Sequence, residues 1–463
     1  MKTIAIAGAN GFVGQALLEK LSQDYHIIAL SRNVSSKEKQ KNIEWRSCDL
    51  YSMRDAEIGL EGVDYAIYLV HSMMPSARLT QGNFSDTDLI LADNFVRAAK
   101  KQNVQQIIYL GGIVPNKEED LSLHLKSRLE VEVTLSSYKV PLTTIRTSIV
   151  VGPGGSSFHM IEKLVRRLPV MICPKWTRSE TQPISLEDVI AAIEQMLGND
   201  RFFHQTIELG GPDVFDYQRL IELMAKAFGK KRLLITVPIF TARLSTLWVS
   251  LVTGTSRKLV APLIQSLRHR MVAKEHPLKK QLQLPQIPFE VCVKNAINTK
   301  PTKSYTRKKF IPQVSDVRSV QRLCLPKGKS ARFVAQEYSK WLGRYMKGIL
   351  VVDNDDKGNS FFRLRFFKRW PLLVITLSPE RSSSDRYLFY ITGGILAEKT
   401  DRGRLEFREV MAGKYILAAI HDFRPTLPWY IYNFSQAIIH LWVMKNFGRY
   451  LKKYSEESML SAP

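Results

Sequence analysis

Seven residues near the start of the chain, Gly8-Ala9-Asn10-Gly11-Phe12-Val13-Gly14, carry the most specific chemical signal in the sequence. The spacing GxxGxxG lies between a short β-branched run and the start of a helical period. There, glycines allow a tight turn and let backbone N–H groups approach a pyrophosphate at a helix N-terminus. Gly8, Asn10, Gly11, Phe12, Val13 and Gly14 are therefore the expected phosphate cradle of a dinucleotide. A second position bears on which dinucleotide. The second expected strand ends Leu30-Ser31-Arg32-Asn33, with a hydroxyl and a guanidinium where a carboxylate would hold a ribose 2′-OH. Ser31 and Arg32 thus favour NADP(H) over NAD(H); the alternative is that Arg32 stacks on the adenine or faces solvent.

Other chemistries lack their residues. The four cysteines are scattered without a CxxC pair, which argues against a zinc ribbon or a disulfide framework and for reduced thiols in a cytoplasmic setting. The histidines are widely separated, and no HExxH, GxSxG or Walker lysine occurs, which disfavours metalloprotease, serine hydrolase and NTP-driven readings. The opening residues end in a glycine turn with no cleavage site after them, so they read as a strand and not as a secretory signal.

The elements that must position the glycine turn alternate in βα fashion. Strands are expected at 3–7, 26–30, 43–47, 65–70, 105–110 and 142–151, with helices at 12–23, 86–102 and 121–138. This is the grammar of a doubly wound parallel sheet, Rossmann-type, and it continues as a helical substrate lobe. We place a nucleotide-binding domain at 1–230, a basic helical extension at 231–300, a linker at 301–312 and an α+β domain at 313–463, with an antiparallel sheet and one long final helix from about 428 to 454.

Charge divides the chain. Residues 1–230 hold 26 Lys and Arg against 27 Asp and Glu, whereas residues 231–463 hold 41 against 16. A neutral first half suits a metabolite enzyme, and a basic second half suits an anionic partner. No recognition-helix or RNA-binding signature is present, so an anionic membrane surface is favoured over nucleic acid. The apolar stretches 233–252 and 427–444 are interrupted by proline and polar residues. They are too broken to span a bilayer but could lie on its surface. Aromatic residues crowd the last helix, with Lys445, Arg449, Lys452 and Lys453 among and after them.

The glycine turn, Ser31-Arg32-Asn33, Cys48-Asp49-Leu50 and the run Leu69-Val70-His71-Ser72-Met73 together resemble an extended or atypical short-chain dehydrogenase/reductase. More closely, the chain is similar to an NAD(P)-binding group that carries LVHSM and a later PxWxRS segment, matched by Pro174-Lys175-Trp176-Thr177-Arg178-Ser179. Arg146 to Gly152, Gln182-Pro183-Ile184 and Asp188 match that group's substrate-lobe signposts, and the resemblance covers about residues 1–300. It implies that Asp49, with Leu50 beside it, contacts the adenine, and that Val70 and His71 lie beside the adenosine ribose.

Short-chain reductases place a tyrosine acid and, four residues on, a lysine on the helix after the fifth strand. Here those positions hold His124 and Arg128, and the fifth strand ends without the usual serine. An arginine cannot relay a proton as lysine does. His124 acting as the acid with Arg128 binding the nicotinamide ribose is one expectation; a cofactor-contacting pair without catalytic work is the other. The C-terminal part resembles uncharacterised domains fused to this reductase type, and looks like a helix-grip fold of the Bet v 1 and START kind, which implies an apolar ligand. The expected function is an NADP(H)-dependent oxidoreductase acting on a small apolar or quinone-like substrate, cytoplasmic and peripheral to membrane. The alternative is a non-catalytic nucleotide-dependent sensor or assembly factor at the membrane surface, as resemblance to the nucleotide-binding accessory subunit of respiratory complex I suggests. A sugar-nucleotide epimerase is disfavoured by the missing tyrosine.

Overall fold

A computed structural model describes residues 1–35, 37–38, 40–72, 79–115, 121–237, 242–299, 316–356, 358–400 and 402–460. The expected linker at 301–312 and Met73 of the LVHSM run lie outside the described residues. The chain forms two compact units, one of Met1–Met74 with Leu91–Arg307 and one of Pro75–Ile90 with Lys308–Pro463.

The first unit is built on seven parallel strands: β1 (Thr3–Ala7), β2 (His26–Ser31), β3 (Ile43–Ser47), β4 (Tyr65–Tyr68), β5 (Gln106–Gly112), β6 (Leu142–Thr147) and β7 (Thr206–Leu209). Their spatial order is 7-6-5-4-1-2-3. The direction of winding reverses beside β1, and in such sheets ligands bind at the carboxyl ends of the strands at that point. Both faces are covered, which is why the strands read as nearly continuous apolar runs. Ile4, Ile6 and Ile27 pack against Leu17, Leu21, Val189 and Ile193 on one face. Ala5, Ala7 and Ile28 pack against Phe95, Val96, Val131 and Leu135 on the other.

Two expectations are corrected in this unit. The strand expected at 142–151 is broken: β6 stops at Thr147, the Ser148 hydroxyl donates to the Gln182 carbonyl, and Val150–Val151 then pairs with Ile184–Ser185 instead. The segment after 230 is not wholly helical, because Leu233–Val237 pairs in parallel with Val170–Pro174. Its β-branched residues favour the pleated conformation. The apolar stretch 233–252 is therefore divided between this strand and a helix at Ala242–Thr253.

The second unit holds seven antiparallel strands: Val317–Cys324, Leu350–Asn354, Asn359–Leu364, Phe367–Leu377, Arg386–Gly393, Arg404–Val410 and Tyr415–Phe423. The last six form a meander, and the first pairs beside Tyr415–Phe423. On its other side a short parallel strand, Leu79–Gln81, pairs with Val317–Ser319. Helices at Ala331–Tyr345 and Gln436–Leu460 cover one face, with Val334, Trp341, Phe447 and Leu451 packed on Phe407, Ile416 and Ala418. The final helix is not continuous from 428, because Ser435 (φ −129, ψ −88) separates Trp429–Phe434 from Gln436–Leu460. Its aromatics also divide, with Phe447 in the core and Phe434 and Trp442 exposed. Among the described residues no helix is long and apolar enough to cross a membrane, and no group of three or more potential metal ligands is found.

One fully buried carboxylate organises the Arg386–Gly393, Arg404–Val410 and Tyr415–Phe423 strands. Glu406 accepts from Arg386 Nε at 2.7 Å, Arg408 at 2.8 Å and His421 Nε2 at 2.9 Å. Burial alone would raise its pKa, but the charges of Arg386, Arg408 and His421 hold it well below the usual carboxylate range. Replacing it strands buried guanidinium groups without a counter-charge. Glu406→Gln is therefore expected to cost about 3–5 kcal/mol of stability at pH 7. A depressed carboxyl stabilises the fold above its unfolded pKa and loses that contribution as pH falls through its folded value. The gap between wild type and variant should accordingly narrow below about pH 4.5, as calorimetric unfolding across pH 3.5–7.5 would show; an equal gap at all pH values contradicts it.

Candidate functional site

The turn after β1 is shaped by what its glycines leave out. Gly8 sits at φ +93, a conformation strained for any residue with a Cβ, and that Cβ would press on Leu69 at 3.1 Å. The Gly11 amide donates to the Gly8 carbonyl at 2.8 Å, closing the turn. A Cβ on Gly14 would fall 2.4 Å from the Gly8 carbonyl oxygen, so glycine is required for the Phe12–Leu21 helix to pack this close. Gly11 caps that helix with no side chain bonded to its amides, and its first turn holds no acidic residue. The N–H groups of Phe12, Val13 and Gly14 at this first turn have no intrahelical acceptor, and the helix dipole adds positive potential there. This is a ready anion site.

Asn10 ties the turn to the end of β2. Its amide donates to Ser31 Oγ at 2.7 Å, and the Ser31 hydroxyl donates to the Asn33 carbonyl at 2.9 Å. Its oxygen accepts from the Lys37 ammonium, which also lies 3.9 Å above the Trp45 ring. Arg32 is exposed next to buried Ser31. After β3, Asp49 Oδ1 accepts from the Tyr51 amide at 3.2 Å and Leu50 is buried. After β4, Val70 packs on the core face and exposed His71 follows. Lys37 and Trp45 are not picked out by sequence reasoning. Lys37 lies in the polar run Ser35-Ser36-Lys37-Glu38-Lys39, and no spacing rule marks which of its charges turns inward.

The other end of the site is assembled from β4, β5, β6 and the Leu123–Ser136 helix. Ser122 caps that helix, accepting from the Leu125 amide at 3.2 Å, and its hydroxyl meets Ser266 Oγ at 2.7 Å. His124 and Arg128 therefore stand one turn apart on the same face. Arg128 is buried, and its carbonyl accepts from the Tyr109 hydroxyl at 3.1 Å. Burial, then the charge of Arg128, then His71 push the His124 pKa down to about 3. His71 is pushed down as well, by partial desolvation and the charge of Arg128, and less firmly because it reaches solvent. His71, His124 and Arg128, far apart in sequence, thus form one electrostatic cluster in which both imidazoles are neutral at pH 7.

Gly112, Thr147 and His124 help line a cavity of about 230 Å³, walled by apolar groups that include Ile161, Leu164, Trp176, Trp248 and Leu263. Two buried polar atoms on its lining, His124 Nδ1 and Trp176 Nε1, have no hydrogen-bond partner among the described residues. Trp176 comes from the PxWxRS segment, which folds as a short 3-10 turn at Lys175–Arg178. Other signposts of the substrate lobe are structural. Asp188 is fully buried and accepts from the Gln286 and Ile287 amides at 2.7 and 3.2 Å. Gln182 bridges Gly211 and Ala273, and Arg146 forms a two-point ion pair with Glu132 at 2.9 and 3.0 Å.

An NAD(P)H-binding family matches residues 8–146. The auxiliary protein GraX of Staphylococcus aureus (strain NCTC 8325 / PS 47) is 32% identical over 111 residues, a match that spans 24% of this chain and only 36% of that protein. Among solved structures, a nucleoside-diphosphate-sugar epimerase from Staphylococcus aureus superposes with TM-score 0.51 at 15% identity, covering 64% of this chain and all of that one. Citrobacter sp. triphenylmethane reductase complexed with NADP(H) gives 0.50 at 17% identity over 64% and 99%. The NADPH-dependent quinone oxidoreductase of Escherichia coli complexed with NADPH gives 0.50 at 17% identity over 64% and 100%. At these identities the superpositions establish the fold. The cradle fits a dinucleotide independently, since glycine at 8 and 14 lets the helix pack tightly on the turn and its uncapped first-turn amides suit a pyrophosphate. The N-terminal part of the chain thus has a Rossmann-like fold, and within it residues 8–146 match an NAD(P)H-binding family.

Proposed function

We propose that the first unit binds NADPH and reduces an apolar, planar acceptor of the quinone class by two electrons. The observation that carries this reading is the apolar cavity whose rim, Gly112, Thr147 and His124, lies at the carboxyl ends of β5 and β6, where a dinucleotide starting at the glycine turn would end. Bound NADPH supplies a hydride. The chain's residues do the rest. The apolar walls hold the acceptor and exclude water from its ring. Arg128 offsets the negative charge that develops on the acceptor oxygen. His124 is neutral at pH 7, so it cannot serve as an imidazolium acid. It can donate one hydrogen bond from its unpartnered Nδ1 to the acceptor oxygen. The proton that completes the hydroquinone comes from solvent at the open mouth. A quinone is suited to such a site because its reduced oxygen is a stabilised phenolate, unlike the alkoxide formed from an aldehyde, which needs a protein acid.

Preference for NADP(H) rests on two cations at the end of β2. Arg32 is exposed and Lys37 reaches Asn10 across the same corner, a pair able to meet a 2′-phosphate. The second reading, a nucleotide-dependent binding protein without turnover, is favoured by the same neutral His124 and by arginine at the lysine position.

Two outcomes are expected. Titration calorimetry should show NADPH binding tighter than NADH, with the preference reversed in Arg32→Asp/Lys37→Ala, each lost charge-assisted contact costing about 1.5–3 kcal/mol; an unchanged ratio removes both residues from the 2′-phosphate site. With NADPH and apolar quinones the protein should consume NADPH, while simple aldehydes leave it untouched, and Arg128→Leu should lower kcat/KM by about 100-fold. Intact NADPH binding without oxidation by any quinone would turn the conclusion to the non-catalytic reading.

A further inference from the structure

The strands Asn359–Leu364 and Phe367–Leu377 of the second unit are joined by a two-residue turn, because Leu364 pairs directly with Phe367 across the ladder. The residues in and after that turn are Arg365-Phe366-Phe367-Lys368-Arg369-Trp370, and all six are exposed. Phe366 is 83% exposed, Phe367 67% and Trp370 61%. Two-residue hairpin turns favour Asn, Asp and Gly. An Arg-Phe pair there is unsupported by turn chemistry, and three large rings in water are unsupported by burial.

The surroundings extend the same pattern. The Arg365 amide donates to the Ile349 carbonyl at 2.8 Å, and its guanidinium to the Lys347 carbonyl at 3.1 Å. This sets exposed Ile349 and Lys347 beside the turn. On the opposite side the Ile395 amide donates to the Pro371 carbonyl at 3.0 Å, so exposed Ile395 flanks Trp370. Tyr345, two residues before Lys347 in the chain, packs on Trp442 at 5.4 Å between ring centroids. On the final helix Trp442, Ile438 and Ile439 are exposed as well. No Asp or Glu occurs from 357 to 379 or from 423 to 455.

We propose that this hairpin tip docks the second unit onto an anionic lipid surface. Phe366, Phe367 and Trp370 enter the headgroup region, where amphipathic and aromatic rings are favoured, and Arg365, Lys368 and Arg369 remain at the phosphates. Single-sign charge interleaved with rings also suits single-stranded nucleic acid. Aliphatic Ile349 and Ile395, exposed on the two flanks of the turn, have no role against phosphates and bases, and they favour lipid. The site belongs to the second unit, and the proposal holds whether or not the first unit turns over substrate.

The test is sedimentation of the full chain with vesicles of phosphatidylcholine alone or with 30% phosphatidylglycerol. Wild type should bind the anionic vesicles and bind neutral ones weakly. Each cation near the surface is worth about fivefold in partitioning, so Lys368→Ala/Arg369→Ala should weaken binding about 25-fold. Phe366→Ser/Phe367→Ser/Trp370→Ser should weaken it about tenfold or more, with NADPH affinity and thermal unfolding unchanged as the control on folding. No binding to anionic vesicles, equal binding to neutral ones, undiminished binding by the serine variant, or preferential binding of a single-stranded oligonucleotide would each overturn the proposal.

Discussion

The first unit depends on one close approach. Because Gly14 has no side chain, the Phe12–Leu21 helix can settle against the Gly8 carbonyl, where a Cβ would lie only 2.4 Å away. That contact aims an uncapped helix N-terminus, free of acidic residues in its first turn, at the carboxyl end of a parallel sheet. It also fixes where the ends of β4, β5 and β6 must lie relative to the anion site. His71, Gly112 and Thr147 follow from that frame, as does the mouth of the cavity.

Electrostatics at the far end narrow the chemistry. A buried arginine beside two histidines makes both imidazoles poor proton acceptors, with His124 pushed down to about 3. The site therefore concentrates positive charge without a titratable acid working near neutral pH. Such an arrangement stabilises an anion better than it protonates one, which is why the proposed acceptor is one whose reduced form is a stable anion. Sequence reasoning that treats His124 as a stand-in for a tyrosine acid misses this, because the charge that suppresses the histidine sits one helical turn away on Arg128 and its effect depends on burial.

What was legible in the sequence follows from how strictly geometry restricts residue type. The glycine turn, the parallel order and the meander with its closing helix could be read, since a tight turn demands glycine and buried strands demand apolar runs. Lys37 could not, because a long flexible side chain can reach Asn10 from many loop positions. The break at Ser435 has no proline or glycine to announce it, and Leu79–Gln81 is too short for a period to register. The strand Val317–Cys324 was also missed: its sequence Val-Arg-Ser-Val-Gln-Arg-Leu-Cys mixes polar and apolar residues, with Arg318 buried against Asp422 at 2.8 Å. Its strand character comes from cross-strand partners, not from alternation. The cavity was invisible because its walls come from elements scattered between Gly112 and Met271.

The second unit holds one carboxylate locked inside, Glu406, and displays a cluster of cations and rings on one hairpin. On that hairpin exposed rings and cations alternate. For the first unit, the most direct measurement is a crystal structure of the full chain grown with NADPH. The account predicts the pyrophosphate on the amides of Phe12, Val13 and Gly14, the 2′-phosphate near Arg32 and Lys37, and the nicotinamide ring at the Gly112, Thr147 and His124 rim with its hydride-bearing carbon facing the apolar cavity. A nicotinamide ring directed away from that cavity, or a nucleotide seated anywhere but the glycine turn, would contradict it.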